Sequence, residues 1–170
     1  KLAPKKDQNQ LLSDSLLLIG KYLKLRAKLL TKKTKRDEIL KETFVLQNLI
    51  NEKHETLREV LLTARKRSGR SRYEEKQLLI FVSSIKIFEL IEAKHLDYKM
   101  IDGIFGERKE FLRASKKLNK IMGNHLILLS ELLIQNTKIP NKDILLNALT
   151  KANESITNYV AVIKLPEARE

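Results

Sequence analysis

The sequence predicts an all-α protein, an antiparallel bundle of about five long amphipathic helices. Apolar residues recur with a period near 3.6 along almost the whole chain, and no segment keeps the period-2 alternation of a half-buried strand. The 170 residues include only five glycines and three prolines, which is too few for a loop-rich β fold. A chain of this length can bury one sizeable core, so we expect a single helical domain over residues 1–170.

The first helix is predicted over residues 8–31. Its apolar positions follow the helical period at Leu11, Leu12, Ser15, Leu18, Ile19, Tyr22, Leu25, Leu29 and Leu30. Leu16, Leu17 and Leu23 widen this face, so we expect the helix to be covered on more than one side. The basic run 31–36 follows as a connection.

The second helix is predicted over residues 37–66. Asp37 and Glu38 suit its positive N-terminal end, and the basic residues 65–67 suit its negative C-terminal end. Gly69 then breaks the helical pattern. The predicted inward stripe is Ile39 or Leu40, Thr43, Leu46, Leu49 or Ile50, Lys53, Leu57, Val60 or Leu61, and Ala64.

The third helix, predicted over residues 72–94, is the most apolar segment of the chain. Because its apolar residues extend around much of the helix, we expect this helix to lie at the centre of the bundle. These residues include Leu78, Ile80, Phe81, Val82, Ile85, Ile87, Phe88, Leu90 and Ile91.

A fourth helical region is predicted over residues 98–135, with a bend near 103–106. The segment 136–141 is the clearest turn in the sequence. A fifth helix follows over residues 142–164, and Pro166 ends it. Its predicted inward positions are Leu145, Leu149, Ala152, Ile156, Tyr159, Val160 and Ile163.

The net charge of +13, from 34 Lys and Arg against 21 Asp and Glu, is unevenly distributed. Residues 1–72 hold 19 basic and 8 acidic residues, a net charge of +11, and the rest of the chain adds +2. The excess peaks in two runs, 31–36 and 65–72, which we expect at one end or face of the bundle. Phosphate groups of lipids or nucleic acids attract such runs; the alternative is that they are solvated loops closing helix ends. The candidate contacts for anionic lipid are Lys32, Lys33, Lys35, Arg36, Arg65, Lys66, Arg67, Arg70 and Arg72.

No catalytic, metal or cofactor motif is evident in the sequence. There is no cysteine, and His54, His95 and His125 lie too far apart in the chain for the spacing of paired metal ligands. Only Glu92 and His95 have the spacing of a di-iron ligand pair, and a second copy is missing. No Gly-rich phosphate loop occurs. We therefore expect no enzyme activity and no bound cofactor.

The chain begins without Met and carries no signal-peptide pattern. None of its apolar runs approaches the ~20 residues that a membrane-spanning helix requires. These observations predict a soluble fragment of a longer protein.

The order of several segments carries a family resemblance. A basic stretch at 67–73 precedes the apolar helix 78–91, which contains Phe88-Glu89 and is followed by His95 and Tyr98. This order resembles the soluble region of the FUSC-like (fusaric acid resistance) bacterial inner-membrane proteins of the YccS/YhfK type.

The resemblance covers about residues 8–130 and implies a domain between two transmembrane blocks, on the cytoplasmic side of the bacterial inner membrane. The family is associated with efflux of aromatic acids and related compounds. The resemblance therefore implies a non-catalytic regulatory, coupling or assembly domain outside the permeation path. The implied partners are the transmembrane part of the same chain and anionic lipid headgroups, with a homo-oligomer as a further option. The resemblance assigns no functional residue.

Two other classes of function remain open, a basic helical module that binds nucleic acid and an adaptor bundle that binds an acidic protein. Nucleic-acid modules usually add aromatic platforms, but most of the five Phe lie at apolar helical positions. Cytoplasmic segments beside membrane helices carry excess Lys and Arg. The charge therefore favours the inner face of a membrane over nucleic acid.

Overall fold

The computed structural model describes residues 5–31, 33–68, 71–93, 96–106, 109–135, 137 and 141–164. These residues form six helices and no strand, which confirms the predicted all-α fold. The helices are α1 (Lys5–Leu29), α2 (Arg36–Ser68), α3 (Arg72–Glu92), α4 (Tyr98–Phe105), α5 (Lys109–Gln135) and α6 (Asp143–Lys164). The predicted stop at Pro166 and most of the predicted turn at 136–141 lie outside the described residues.

Helix α1 is the centre of the bundle. It packs against α2, α3 and α5, and its residues Leu12, Ser15 and Ile19 are fully buried. The prediction that this helix is covered on more than one side is confirmed, but the prediction that α3 is the centre is wrong. Leu79 and Leu90 of α3 are 67% and 77% exposed, and α3 has fewer contacts with α1 than α2 or α5 has.

The inward stripe predicted for α2 is confirmed. The sequence left two pairs of alternatives open at inward positions, Ile39 or Leu40 and Leu49 or Ile50. In the structure Ile39 and Ile50 are buried, whereas Leu40 and Leu49 are exposed. The other buried members of the stripe are Thr43, Leu57, Leu61 and Ala64.

A buried histidine on the same face was not predicted. The Nε2 atom of His54 lies 3.1 Å from Oγ of Ser15, and its ring packs edge-to-face against Phe81 and Phe88. Burial lowers the pKa of His54, and the charge of Arg58 lowers it further. His54 is therefore a neutral core residue at pH 7.

The predicted fourth helical region consists of two helices instead of one bent helix. Helix α4 begins after Asp97, whose carboxylate accepts hydrogen bonds from the backbone N–H groups of Lys99 and Met100 at 2.9 and 3.1 Å. It ends at Phe105, and α5 begins at Lys109. The cap and an ion pair to α2, described below, hold α4 as a separate element.

Helices α1 and α5 run antiparallel and cross with their backbones in contact at Gly20 and Gly123. A Cβ atom placed on Gly20 would lie 2.7 Å from the carbonyl oxygen of Gly123, and a Cβ atom on Gly123 would lie 2.7 Å from the carbonyl oxygen of Gly20. Farther along the same interface, Oγ of Ser13 donates to the carbonyl oxygen of Ser130 at 2.8 Å. Small residues on both helices therefore permit the close approach that forms the centre of the fold.

Helix α6 packs along α5, with Ala148 and Ala152 buried. Near its end, the hydroxyl of Tyr159 donates to the carbonyl oxygen of Ile104 in α4 at 3.1 Å. Because α6 has a neighbour on one side only among the described residues, part of its predicted inward face is exposed. The positions at which that prediction is wrong are Leu149, Ile156 and Val160, which are 40% to 45% exposed.

Candidate functional site

The two basic runs lie at opposite ends of the bundle. They are joined by α2, whose 33 residues span about 50 Å. Lys33 and Lys35 are exposed at one end, and Arg65, Lys66 and Arg72 are exposed at the other. The expectation that both runs lie at one end of the bundle is therefore wrong. Lys32 and Arg70, and the side chain of Arg67, lie outside what the structure describes.

A groove opens between the segment 30–35 and the first half of α5. Its volume is about 1000 Å³, and none of the described residues that line it is acidic. Leu30 and Leu112, both buried, supply apolar lining. We define the basic groove by its seven cationic lining residues, Lys33, Lys35, Lys109, Arg113, Lys116, Lys117 and Lys120.

Five of these cations come from α5, and none of the five is among the lipid contacts predicted from the sequence. Their positions, 109, 113, 116, 117 and 120, recur at helical spacing, so the helix presents them on one face. The signal was present in the sequence, but a charge sum over residues 73–170 hid it, because acidic residues elsewhere in that half cancel these cations. The groove unites this face with Lys33 and Lys35, two of the predicted contacts.

A hydrogen bond connects the two walls of the groove. Nζ of Lys116 donates to Oγ1 of Thr31 at 2.9 Å, so the α5 wall is tied to the end of the connection that follows α1. The pair is exposed, so it orders the walls without isolating them from solvent.

Arg36 fixes the loop that forms the other wall. Its guanidinium donates to both carboxylate oxygens of Asp102 in α4, at 2.9 and 3.3 Å, and to the carbonyl oxygen of Leu29 at 3.2 Å. The guanidinium carbon lies 5.2 Å from the ring centre of Tyr98. Lys33 adds an ion pair to the same carboxylate at 3.5 Å. We refer to this arrangement as the Arg36 clamp.

The Arg36 clamp changes the interpretation of one predicted lipid contact. The side chain of Arg36 is only 14% exposed, and its Nη1 and Nη2 donate to Asp102 and Leu29, so in this structure Arg36 positions the loop. The hydrogen bond from Arg36 holds the pKa of Asp102 below its usual value, and the charges of Arg36 and Lys33 act in the same direction. Asp102 is therefore ionised at neutral pH, as the ion pairs require.

The chemistry that the basic groove can perform is the binding of an anion. Its lining combines ammonium and guanidinium donors with the hydroxyls of Thr31 and Thr34, and the residues described there include no His, Asp or Glu that could serve as a general base. Lys and Arg donors of this kind match phosphate oxygens.

The comparison with protein families identifies the group to which the chain is related. The family model described as "FUSC-like inner membrane protein yccS" matches residues 1–166. The chain belongs to this FUSC-like family. The match includes α6, which lies beyond the range 8–130 of the sequence resemblance. No curated protein and no solved structure matches the chain significantly.

The FUSC-like resemblance was carried by residues that the structure places in packing roles or on the surface. Phe88 is buried and Tyr98 lies under the Arg36 guanidinium, whereas Glu89 is exposed. Arg72 is exposed at the end opposite the basic groove. Two further positions, His95 and Arg70, lie outside the described residues.

Within the described part of this FUSC-like chain, no helix combines the length and the apolar content needed to cross a membrane.

Proposed function

We propose that this chain is a non-catalytic regulatory and assembly domain of a FUSC-like inner-membrane efflux transporter, and that it contacts anionic lipid headgroups on the cytoplasmic side through the basic groove. The single observation that carries the proposal is the convergence of seven cations at one end of the bundle, in a groove whose described lining residues include no acidic one. Membership of a family described as inner-membrane proteins supports the expectation that a bilayer lies near the chain.

The electrostatic attraction available to the basic groove is large enough to matter. Near an anionic leaflet each Lys or Arg contributes about 1 kcal/mol, so the seven cations have an upper bound of about 7 kcal/mol, which the ion pair of Lys33 with Asp102 lowers. Six of them are exposed, and only Lys116 is half-buried, so little rearrangement is needed to reach headgroup oxygens. The attraction falls within about 8 Å at physiological salt, which requires the groove to lie at the membrane surface.

Helix α4 adds an apolar element at the same end of the bundle. Its outward residues Met100 and Ile104 are 62% and 46% exposed, although Asp102 of the same helix is held inward by the Arg36 clamp. Exposed apolar side chains beside cations are typical of surfaces that lie in the headgroup region of a bilayer. This combination favours a lipid surface over an acidic protein.

A vesicle co-sedimentation assay with two matched triple variants tests the proposal. The groove variant replaces Arg113, Lys117 and Lys120 with Gln, and the control replaces Arg65, Lys66 and Arg72 with Gln at the opposite end. Both remove three positive charges from exposed positions. On vesicles with anionic lipid we expect the groove variant to bind at least about tenfold more weakly, which corresponds to 1.4 kcal/mol, and the control to bind like wild type.

Binding of the wild-type protein should also weaken as the salt concentration rises. Equal losses in the two variants, or equal binding to neutral and anionic vesicles, would show that the groove is not the lipid contact.

Nucleic acid is the main rival ligand, and an oligonucleotide titration at the same salt concentration distinguishes it. Oligonucleotide binding tighter than vesicle binding would support the rival instead. No aromatic residue is found among the described lining residues of the groove, which argues against base stacking there.

A further inference from the structure

Helix α6 carries two apolar stripes, of which only one is covered in the described structure. The covered stripe faces α5 and includes Ala148, Ala152 and Tyr159, whose ring lies 4.8 Å from that of Phe105. The second stripe, which we call the outer seam, consists of Leu146, Leu149, Asn153, Ile156 and Val160. Its four apolar members are 40% to 47% exposed, and Asn153 is exposed as well.

The outer seam has the spacing of a helix–helix interface. Its positions, 146, 149, 153, 156 and 160, are separated by three, four, three and four residues, so they form one continuous line along the helix. Position 160 lies 14 residues after position 146, so this line is about 21 Å long. That is sufficient for a pair of helices to interlock over four turns.

The outer seam is uncharged in a chain with a net charge of +13. The residues beside it on one flank, Thr150 and Thr157, are also neutral. Lys151 is rotated by about 200° from Asn153 around the helix and does not belong to the seam. Two copies of a strongly basic protein repel one another over most of their surfaces, and a neutral seam is a place where they can approach without that penalty.

We propose that the outer seam is the contact between two copies of this chain, with the two-fold axis passing beside Asn153. Such an axis makes each residue on it face its own counterpart. The Asn153 amide has both donors and an acceptor, so an identical amide from a second copy satisfies it. A purely apolar partner would instead cover the amide without a hydrogen bond. A single Asn in an otherwise apolar seam also fixes the register of paired helices.

The self-association goes beyond the lipid contact proposed above and does not depend on it. It involves α6, whereas the basic groove involves the segment 30–35 and α5. Loss of either property would therefore leave the other measurable.

Single-cysteine variants offer a direct test, because the chain contains no cysteine. Asn153→Cys places a thiol on the proposed axis, and Lys151→Cys places one on the far side of the same helix. Under mild oxidation we expect a covalent dimer from Asn153→Cys and none above background from Lys151→Cys. Failure of Asn153→Cys to cross-link, or equal cross-linking of both variants, would overturn the proposal.

A second measurement uses the uncross-linked protein. Sedimentation equilibrium should show a mass that rises from one copy to two with concentration, and Leu149→Glu should weaken this dimer at least about tenfold. Ile144→Glu is the matched control, because Ile144 is 64% exposed on the same helix but lies opposite Asn153. Leu149 is already 45% exposed, so circular dichroism should show both variants folded. A monomer at every concentration, or a dimer that Ile144→Glu weakens as much as Leu149→Glu, would contradict the proposal.

Discussion

Replacement of Gly20 with Ala tests the crossing of α1 and α5 on which the fold is centred. The added Cβ would lie 2.7 Å from the Gly123 carbonyl oxygen, 2.8 Å from Cγ1 of Ile127 and 3.2 Å from its backbone nitrogen. Two of these three atoms belong to the backbone of α5, so a side-chain rotation alone cannot relieve the contact. The two helices must separate by about 0.7 Å to restore an ordinary 3.4 Å contact.

The cost of that separation follows from two opposing effects. Overpacking of this kind costs about 3 kcal/mol at the upper end of its typical range, because a gap of 0.5–1 Å forfeits roughly a quarter to a half of the dispersion energy of each contact. Ala is a better helix former than Gly and returns about 1 kcal/mol. The expected net loss is about 2 kcal/mol, which lowers the melting temperature of a domain of this size by about 4–8 °C.

Urea denaturation followed by circular dichroism provides the measurement, and Gly103→Ala provides the control. Gly103 lies in exposed helix α4 and a Cβ there meets no atom within 4 Å, so the same substitution should stabilise α4 or leave stability unchanged. If Gly20→Ala were as stable as wild type, the backbone contact between α1 and α5 would be refuted.

Three further predictions concern polar groups. Burial places the folded-state pKa of His54 below the value of about 6.5 in the unfolded chain. The stability that neutral His54 provides should therefore be fully present above pH ~6.5, and the free energy of unfolding should fall by at most about 1.4 kcal/mol per pH unit as the pH drops towards the folded-state pKa. In urea titrations at several pH values, His54→Gln should lose this part of the pH dependence. Asp102→Asn weakens the hydrogen bonds from Arg36 and should lower the free energy of unfolding by about 1–2 kcal/mol, with faster amide hydrogen exchange in α4. Tyr159→Phe removes the hydrogen bond to Ile104 and should lower the free energy of unfolding by about 0.5 kcal/mol. Because this contact is local, faster amide hydrogen exchange should be confined to the end of α6.

The helices could be predicted from the sequence because hydrophobic periodicity is a local property, but the identity of the central helix could not. Helix α3 is rich in large apolar residues, yet Leu79 and Leu90 face solvent. Helix α1 contains Ser13, Ser15 and Gly20, which lower its apolar content but allow neighbours to approach closely. The number of neighbours of a helix therefore depends on where small residues fall, and a count of apolar residues misses that.

The candidate site was only half predictable for a related reason. Lys33 and Lys35 stood out because they belong to one basic run of the sequence, whereas Arg113 and Lys120 are brought together with them by the antiparallel packing of α1 and α5. The distinction between Lys35, which lines the groove, and Arg36, which is turned inward, depends on the position of Asp102 some 66 residues away. No local pattern reports that partner.

The pairing of α1 with α5 also has a consequence for the synthesis of the protein. Gly20 and Gly123, which touch in the folded bundle, are 103 residues apart in the chain. At about 5–20 residues per second, a ribosome needs roughly 5–20 s to make that intervening length. During this time α2 and α3 can cover part of α1, but the side that α5 will occupy has no native neighbour. The nascent chain therefore presents an apolar surface to chaperones for many seconds, and the bundle closes only after α5 has emerged.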